Sequence, residues 1–207
     1  MCILVGLWFP LLANNSPWVD RFSMLIDQFK KDLKELSSTQ IFRKHLLSSG
    51  CFALDDHQYF KLREEVSEFF SVEFNDTILV GSGRLGFSIK PTKRFVSFND
   101  DSDLDLAIVS PKLFEKIWQD AFLYKRSAEF WPNSRIFFRY LAEGWIRPDK
   151  LPPSEYFKFS KEWWDFFNKI TNGRQFGPYK IRAGLYYSHF FLQEYQTICI
   201  EQCMQEV

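Results

Sequence analysis

Apolar residues recur at steps of three and four over residues 18–36, where Val19, Phe22, Leu25, Ile26, Phe29, Leu33 and Leu36 would share one helical face. Pro17 suits the first turn of that helix, and Asn15 or Ser16 its cap. A shorter helix is expected in QIFRKHLLS, ending at Gly50. Asp55 or Asp56 can cap a third over 57–70, with Phe60, Leu62, Val66 and Phe69 or Phe70 inward. The period then changes. TILV, residues 77–80, is a β-branched run that stops at glycine and reads as a strand, and DLDLAIV, residues 103–109, reads as a second. Ser110-Pro111 supplies an N-cap and a first-turn proline for a helix burying Leu113, Phe114, Ile117, Trp118, Ala121 and Phe122.

The last third predicts a helix in SRIFFRYLAEG ending at Gly144, then a proline-rich connection, RPDKLPPSEY. SKEWWDFFNKITNG predicts a helix with Ser160 as cap and Asn172-Gly173 as stop. YKIRAGLYY alternates Ile181, Ala183 and Leu185, which predicts a third strand, and a helix is expected from about Ser188 to Gln205. No internal repeat is visible. The pattern as a whole predicts an α/β (α+β) chain with a small sheet and helices at both ends. Its expected organisation is an N-terminal segment with helices over 1–70, a core over 71–125, and a mainly helical part over 126–207 that completes one compact domain.

Composition narrows the class. The chain has 207 residues with a formal net charge of zero, so a sequence-blind nucleic-acid coat, normally basic, is disfavoured. Twenty-four phenylalanines bring aromatics to 19%, which suits an aromatic core or platforms for stacked bases. The four cysteines show no CxxC spacing and the three histidines are scattered, which argues against structural zinc. Cys199 and Cys203 are spaced for one helix face, and the usage fits a reducing cytoplasm. The apolar start, MCILVGLWFPLLANNS, lacks a positive leader, is interrupted by Pro10, and falls short of the roughly 20 residues that span a bilayer. It is expected to be a tucked-in segment or strand, with a signal peptide as the alternative, and no membrane span is expected.

Two aspartates interrupt the apolar run of the second strand. Strand side chains alternate, so Asp103 and Asp105 share a face, with Cα atoms about 6.5 Å apart at about 3.3 Å per residue. Like charges so placed repel, and a divalent cation between them resolves the repulsion. The bland alternative is a solvated acidic edge. An EF-hand loop starting at Asp101 fails, because Leu106 stands where glycine is required and Lys112 where glutamate is.

A glycine turn precedes this strand. Gly81-Ser82-Gly83 allows backbone N–H groups to approach an anion closely, and Ser82 adds a hydroxyl. No Gly-Lys-Ser/Thr follows, so it is not a P-loop. Taken together, Gly81, Ser82, Arg84 and Gly86, followed by Ser102-Asp103-Leu104-Asp105-Leu106, resemble the DNA polymerase β-like nucleotidyltransferase superfamily. The likeness is greatest to its small prokaryotic "minimal" members, whose pattern runs GS-x-R/A-x-G and then S-D-[IL]-D-[LV]. It covers roughly residues 60–125, with a longer gap than usual between Gly86 and Ser102.

The resemblance implies a mixed sheet with helices on one side. Gly81 and Ser82 would hold the β- and γ-phosphates of an NTP or dNTP, and Asp103 and Asp105 would bind Mg²⁺ or Mn²⁺. The implied reaction transfers a nucleoside monophosphate to a hydroxyl and releases pyrophosphate. The acceptor would be a protein side chain, a nucleic-acid 3′-end or another nucleotide. Small stand-alone members resemble toxin–antitoxin or anti-phage enzymes, and an operon-encoded partner is one way such a site is completed.

The family pattern calls for a third carboxylate on a later strand. Asp165, Glu129 and Asp149 are the residues weighed for it, and the third strand itself offers Lys180 and Arg182 instead. Arg84, inside the turn, is expected to reach a phosphate, and Lys180 and Arg182 to do so from the third strand. In the insert, Lys90, Lys93 and Arg94 lie among Phe87, Phe95 and Phe98, a pattern that can hold a phosphate backbone and stack a base. A solvated hairpin over packed aromatics is the alternative. Tyr186, Tyr187, Trp163 and Trp164 read as core or rim, and His189 as a satisfied helix histidine. The absent third acid keeps a second class open, a nucleotide-binding or partner-interaction module without turnover. A purely structural protein with a solvated acidic strand is a third.

Overall fold

A four-stranded mixed sheet separates two apolar layers. The computed structural model describes residues 17–127 and 129–206, with side chains of the first helix described from residue 23. The apolar segment MCILVGLWFPLLANNS and the first helix's cap lie outside the described residues.

The elements run α1 Pro17–Glu35, α2 Ser38–Ile41 continuing as a π-helical segment Phe42–Ser48, α3 Asp56–Phe70, β1 Thr77–Val80 and α4 Gly81–Leu85. Then follow β2 Asp103–Val109, α5 Pro111–Arg126, α6 Ser134–Ala142, β3 Trp145–Ile146, α7 Lys158–Gly173, β4 Lys180–Tyr186 and α8 His189–Met204. The sheet order is β1-β2-β4-β3; β1 is antiparallel to β2, β2 parallel to β4, and β3 antiparallel to β4. The chain is thus mixed α/β, with helices flanking the sheet.

Side-chain alternation on β2 decides what each face meets. Leu104, Leu106 and Ile108 enter a layer built with α3, α5, α6 and α7, where Phe70, Trp163, Phe166 and Phe167 pack ring on ring. Ala107 and Val109 enter the other layer, with Phe29 and Leu33 of α1, Ile41 of α2, and Leu192 and Ile200 of α8. Asp103 and Asp105 belong to this second face.

The caps follow side-chain chemistry. The Ser110 side chain accepts from the Leu113 N–H, and Pro111 opens α5. Asp55 and Gln58 form a capping box at α3, and Ser37 and Gln40 form another at α2 that apolar periodicity does not reveal. Asp32 of α1 is buried and holds Lys44 at 2.6 Å and His45 at 2.7 Å, which fastens α1 to the π-helical segment.

Two expectations need correction, one helix cap and three apolar residues. α7 begins at Lys158, so Ser160 is a buried residue inside it and not its cap. Phe60 of α3 faces solvent, and so do Trp118 and Phe122 of α5, because each helix touches the layer along a stripe narrower than its apolar residues span. β3, two residues long, carries no periodicity to read.

Leu104 is fully buried directly beneath the acidic strand face. Leu104→Ala is expected to cost about 2–5 kcal/mol, measured by urea unfolding followed through tryptophan fluorescence; a loss under about 1 kcal/mol would mean the layer collapses onto the gap.

Candidate functional site

The two aspartates stand at the start of β2, and strand pairing fixes their neighbours. Asp103 is in register with Lys180 of β4; Asp105 lies between Val80 of β1 and Arg182 of β4. Arg182 Nε stands 3.0 Å from Asp103 Oδ2 in an ion pair. Asp105 receives no hydrogen bond or ion pair from a described residue, although Lys90 and Arg182 act on it through space. Desolvation pushes its carboxyl above the ordinary range; Lys90 pulls it back, Asp103 adds to the rise, and Arg182 opposes it, without restoring the ordinary value.

The glycine turn meets this pair as its chemistry requires. β1 ends at Val80, and Gly81 turns the chain into α4 with φ of 67°. A Cβ on Gly81 would sit 3.3 Å from Asp105 Oδ2, so glycine serves both the left-handed backbone and the close approach. Gly81 and Ser82 line the cleft beside the carboxylates. Gly83 and Arg84 do not, which corrects the expectation that they hold phosphate. Gly83 is buried, and a Cβ there would come within 2.9 Å of Leu104, so its role is tight packing of α4 on β2. Arg84 is 6% exposed; its Nη2 donates to the Leu47 carbonyl at 3.0 Å and to the Ser49 carbonyl. The turn is helical, and at about 100° per residue position 84 points away from position 82.

The insert divides in two. Lys90 and Lys93 line the cleft. Arg94 forms an ion pair with Glu206 instead. Phe87 is buried against Phe29 at 5.2 Å, and Phe98 against Tyr179 at 4.8 Å, so these rings are core and not stacking platforms. Phe95 packs beside Phe87 and under Lys30.

β4 presents Lys180 and Arg182 toward the carboxylate face, and Gly184 after them. Asp165 pairs with Lys161 on the exposed side of α7, and Glu129 is exposed in the connection before α6. Asp149 reaches the cleft but is gripped by Arg147 and Lys150. Among the described residues no group of three His, Cys, Asp or Glu side chains could hold a metal ion. None of their helices is long and apolar enough to cross a membrane.

The cleft has a volume of about 720 Å³. It brings together Gly81, Ser82, Lys90, Lys93, Asp103, Asp105 and Arg182, which the sequence singled out. It adds Trp145, Arg147, Tyr195, Gln196 and Cys199, which no motif marks. Tyr186, expected as core or rim, is buried and borders the cleft. Desolvation, with Tyr195 and Asp105 nearby, pushes its phenol well above the usual value, so it remains a donor.

No family model matches the chain, and no curated protein or solved structure matches it.

Asp103 and Asp105 would be the donors to a divalent cation here, a pair and not a group of three. Asp105 is unneutralised by any direct partner, Asp103 shares its face, and the missing Cβ of Gly81 leaves room beside Asp105 Oδ2. Arg182, 59% exposed by its side chain, is the cation already in place and would have to share Asp103.

Two variants test these assignments. Arg84→Met is expected to lower stability by about 1–3 kcal/mol, since the carbonyls of Leu47 and Ser49 lose a charged donor, while triphosphate affinity stays unchanged; a calorimetric loss of affinity at intact stability would return Arg84 to the site. Asp105→Asn is expected to raise the melting temperature at pH 7 in metal-free buffer. A raised native carboxyl makes no difference when both states are protonated, and weakens the fold as pH climbs through the ordinary and then the raised value. The gain should therefore shrink toward zero below about pH 4, and a gain independent of pH would refute the electrostatic cause.

Proposed function

We propose that the chain is a metal-dependent nucleotidyltransferase that takes an NTP or dNTP in this cleft and transfers its nucleoside monophosphate to a hydroxyl acceptor. The observation that carries the reading is the convergence of Asp103 and Asp105 on one sheet face, at a 720 Å³ cleft, directly beside the Gly81-Ser82 turn. Bound at the two carboxylates, Mg²⁺ or Mn²⁺ would neutralise the triphosphate, acidify the attacking hydroxyl and stabilise the leaving pyrophosphate.

The chain's own residues do the rest. Gly81 and Ser82 offer backbone N–H groups and a hydroxyl to the terminal phosphates. Lys90, Lys93 and Arg182 line the same cleft and screen the remaining negative charge. The acceptor oxygen forms a bond to the α-phosphorus, the oxygen bridging to the β-phosphorus leaves with its electron pair as pyrophosphate, and the hydroxyl proton passes to water. Such a transfer asks the protein mainly for positioning and charge, so a lack of histidine in the cleft is no obstacle.

Arg182 favours a second reading, nucleotide binding without turnover. It stands beside Asp105 where the family pattern calls for an acid, and it holds Asp103. One assay separates the two. Purified protein is incubated with each labelled NTP and dNTP in Mg²⁺ or Mn²⁺, beside Asp103→Ala/Asp105→Ala. Pyrophosphate release falling at least about 1,000-fold in the double variant is the expected result, since removing the acids removes charge stabilisation at the reacting phosphate. Triphosphate binding with no release in any tube would establish the binding module, and no affinity at all would overturn both.

A further inference from the structure

The carboxylates occupy only part of the cleft. Along β4 the face that begins with Arg182 continues through Gly184 to Tyr186, about 13 Å further at about 3.3 Å per residue. Here the lining turns aromatic. The Trp145 ring lies parallel to Tyr186 at 5.7 Å, and the Tyr195 ring lies 4.6 Å from Trp145. A Cβ on Gly184 would sit 2.6 Å from Trp145 Nε1, so glycine is what lets the indole settle onto the strand. From α8, Gln196 borders the same space. It is 6% exposed, and its amide makes no hydrogen bond with a described residue. The amide oxygen and nitrogen stay reachable from the cleft, so an acceptor and a donor are both available there to a ligand.

We propose that this inner part of the cleft is an adenine subsite, in which the Gln196 amide reads the base edge and the Tyr195 ring provides the stacking face. The inference rests on the reading above, that a nucleotide lies in the cleft with its phosphates at Gly81 and Ser82. A carboxamide pairs with adenine by accepting from N6–H and donating to a ring nitrogen. Guanine asks for an arginine at O6 and N7, and cytosine for a carboxylate at N4. Arg147, which lies over the Trp145 ring, and Asp149 also line the cleft, and they satisfy each other through two bonds of 3.1 Å. Tyr195 is 38% exposed and lines the cleft, and stacking on its ring would be independent of base identity. Discrimination therefore falls to Gln196.

The test compares ligands with and without a base. Affinities of a methylene-bridged, non-reacting ATP analogue, its GTP, CTP and UTP counterparts, and inorganic tripolyphosphate are measured by calorimetry in Mg²⁺. The expected order places the ATP analogue about tenfold or more ahead of the other nucleotides and of tripolyphosphate. Gln196→Met, which preserves side-chain length, should remove the margin over the other nucleotides and leave tripolyphosphate binding unchanged. Tyr195→Ala should weaken all four nucleotides together, again sparing tripolyphosphate. Thermal melting of each variant confirms that it is folded. An ATP analogue that binds no better than tripolyphosphate, or no better than its counterparts, overturns the adenine subsite while the phosphate site stands. Failure of every ligand to bind overturns both.

Discussion

The parallel pairing of β2 with β4 is the constraint on which the site depends. Among the described residues it is the one pairing that brings together strands from the two halves of the chain in the same direction, and it runs over seven rungs from Asp103–Lys180 to Val109–Tyr186. Parallel neighbours need a long crossover, here α5, α6, β3 and α7. Those helices bury one face of the sheet and leave the other to α1, α2 and α8. The register then determines that a basic residue, not an acidic one, stands next to each carboxylate. A slip of one residue would put Ile181 and Ala183 on the acidic face and lose both the core contact and the ion pair at once.

This arrangement gives the cleft an internal compromise. Asp103 has its cation, Arg182, at a partly exposed position where such a pair is worth little. Asp105, better shielded, has none in direct contact. The fold therefore tolerates one unneutralised carboxyl beside a glycine turn that leaves it room. Strain of this kind is uncommon where packing alone is served, and it concentrates in sites that await a ligand.

Much of this was legible in the sequence, and the reasons for the remainder are specific. TILV, DLDLAIV and YKIRAGLYY each carry a period of two or a β-branched run, and Ser110-Pro111 states a helix start chemically, so those elements lie where periodicity and capping place them. Arg84 was misleading because adjacency to Ser82 along the chain is not adjacency in space once the turn becomes helical. Phe87 and Phe98 looked available for stacking because composition does not distinguish a ring above a hairpin from one beneath it. Trp145, Tyr195 and Gln196 carried no signal at all, since three residues from β3 and α8 meet only through the sheet order. The cleft's charged half lies on motifs; its aromatic half is a product of tertiary structure.

The long crossover has a consequence for how the protein comes into being. Every motif residue on β1, α4 and β2 has been synthesised by residue 109, yet the strand that completes the sheet beside them starts only at Lys180. During translation the first half must wait on the ribosome with one edge of β2 uncovered, and non-local pairings of this type form late. A chain released before β4 would display the entire glycine–aspartate signature and have no cleft. An exposed strand edge in that waiting state is also a template for the same edge of a neighbouring nascent chain. Crowding along a polysome, as much as stability of the finished fold, would then govern how much folded protein a cell obtains.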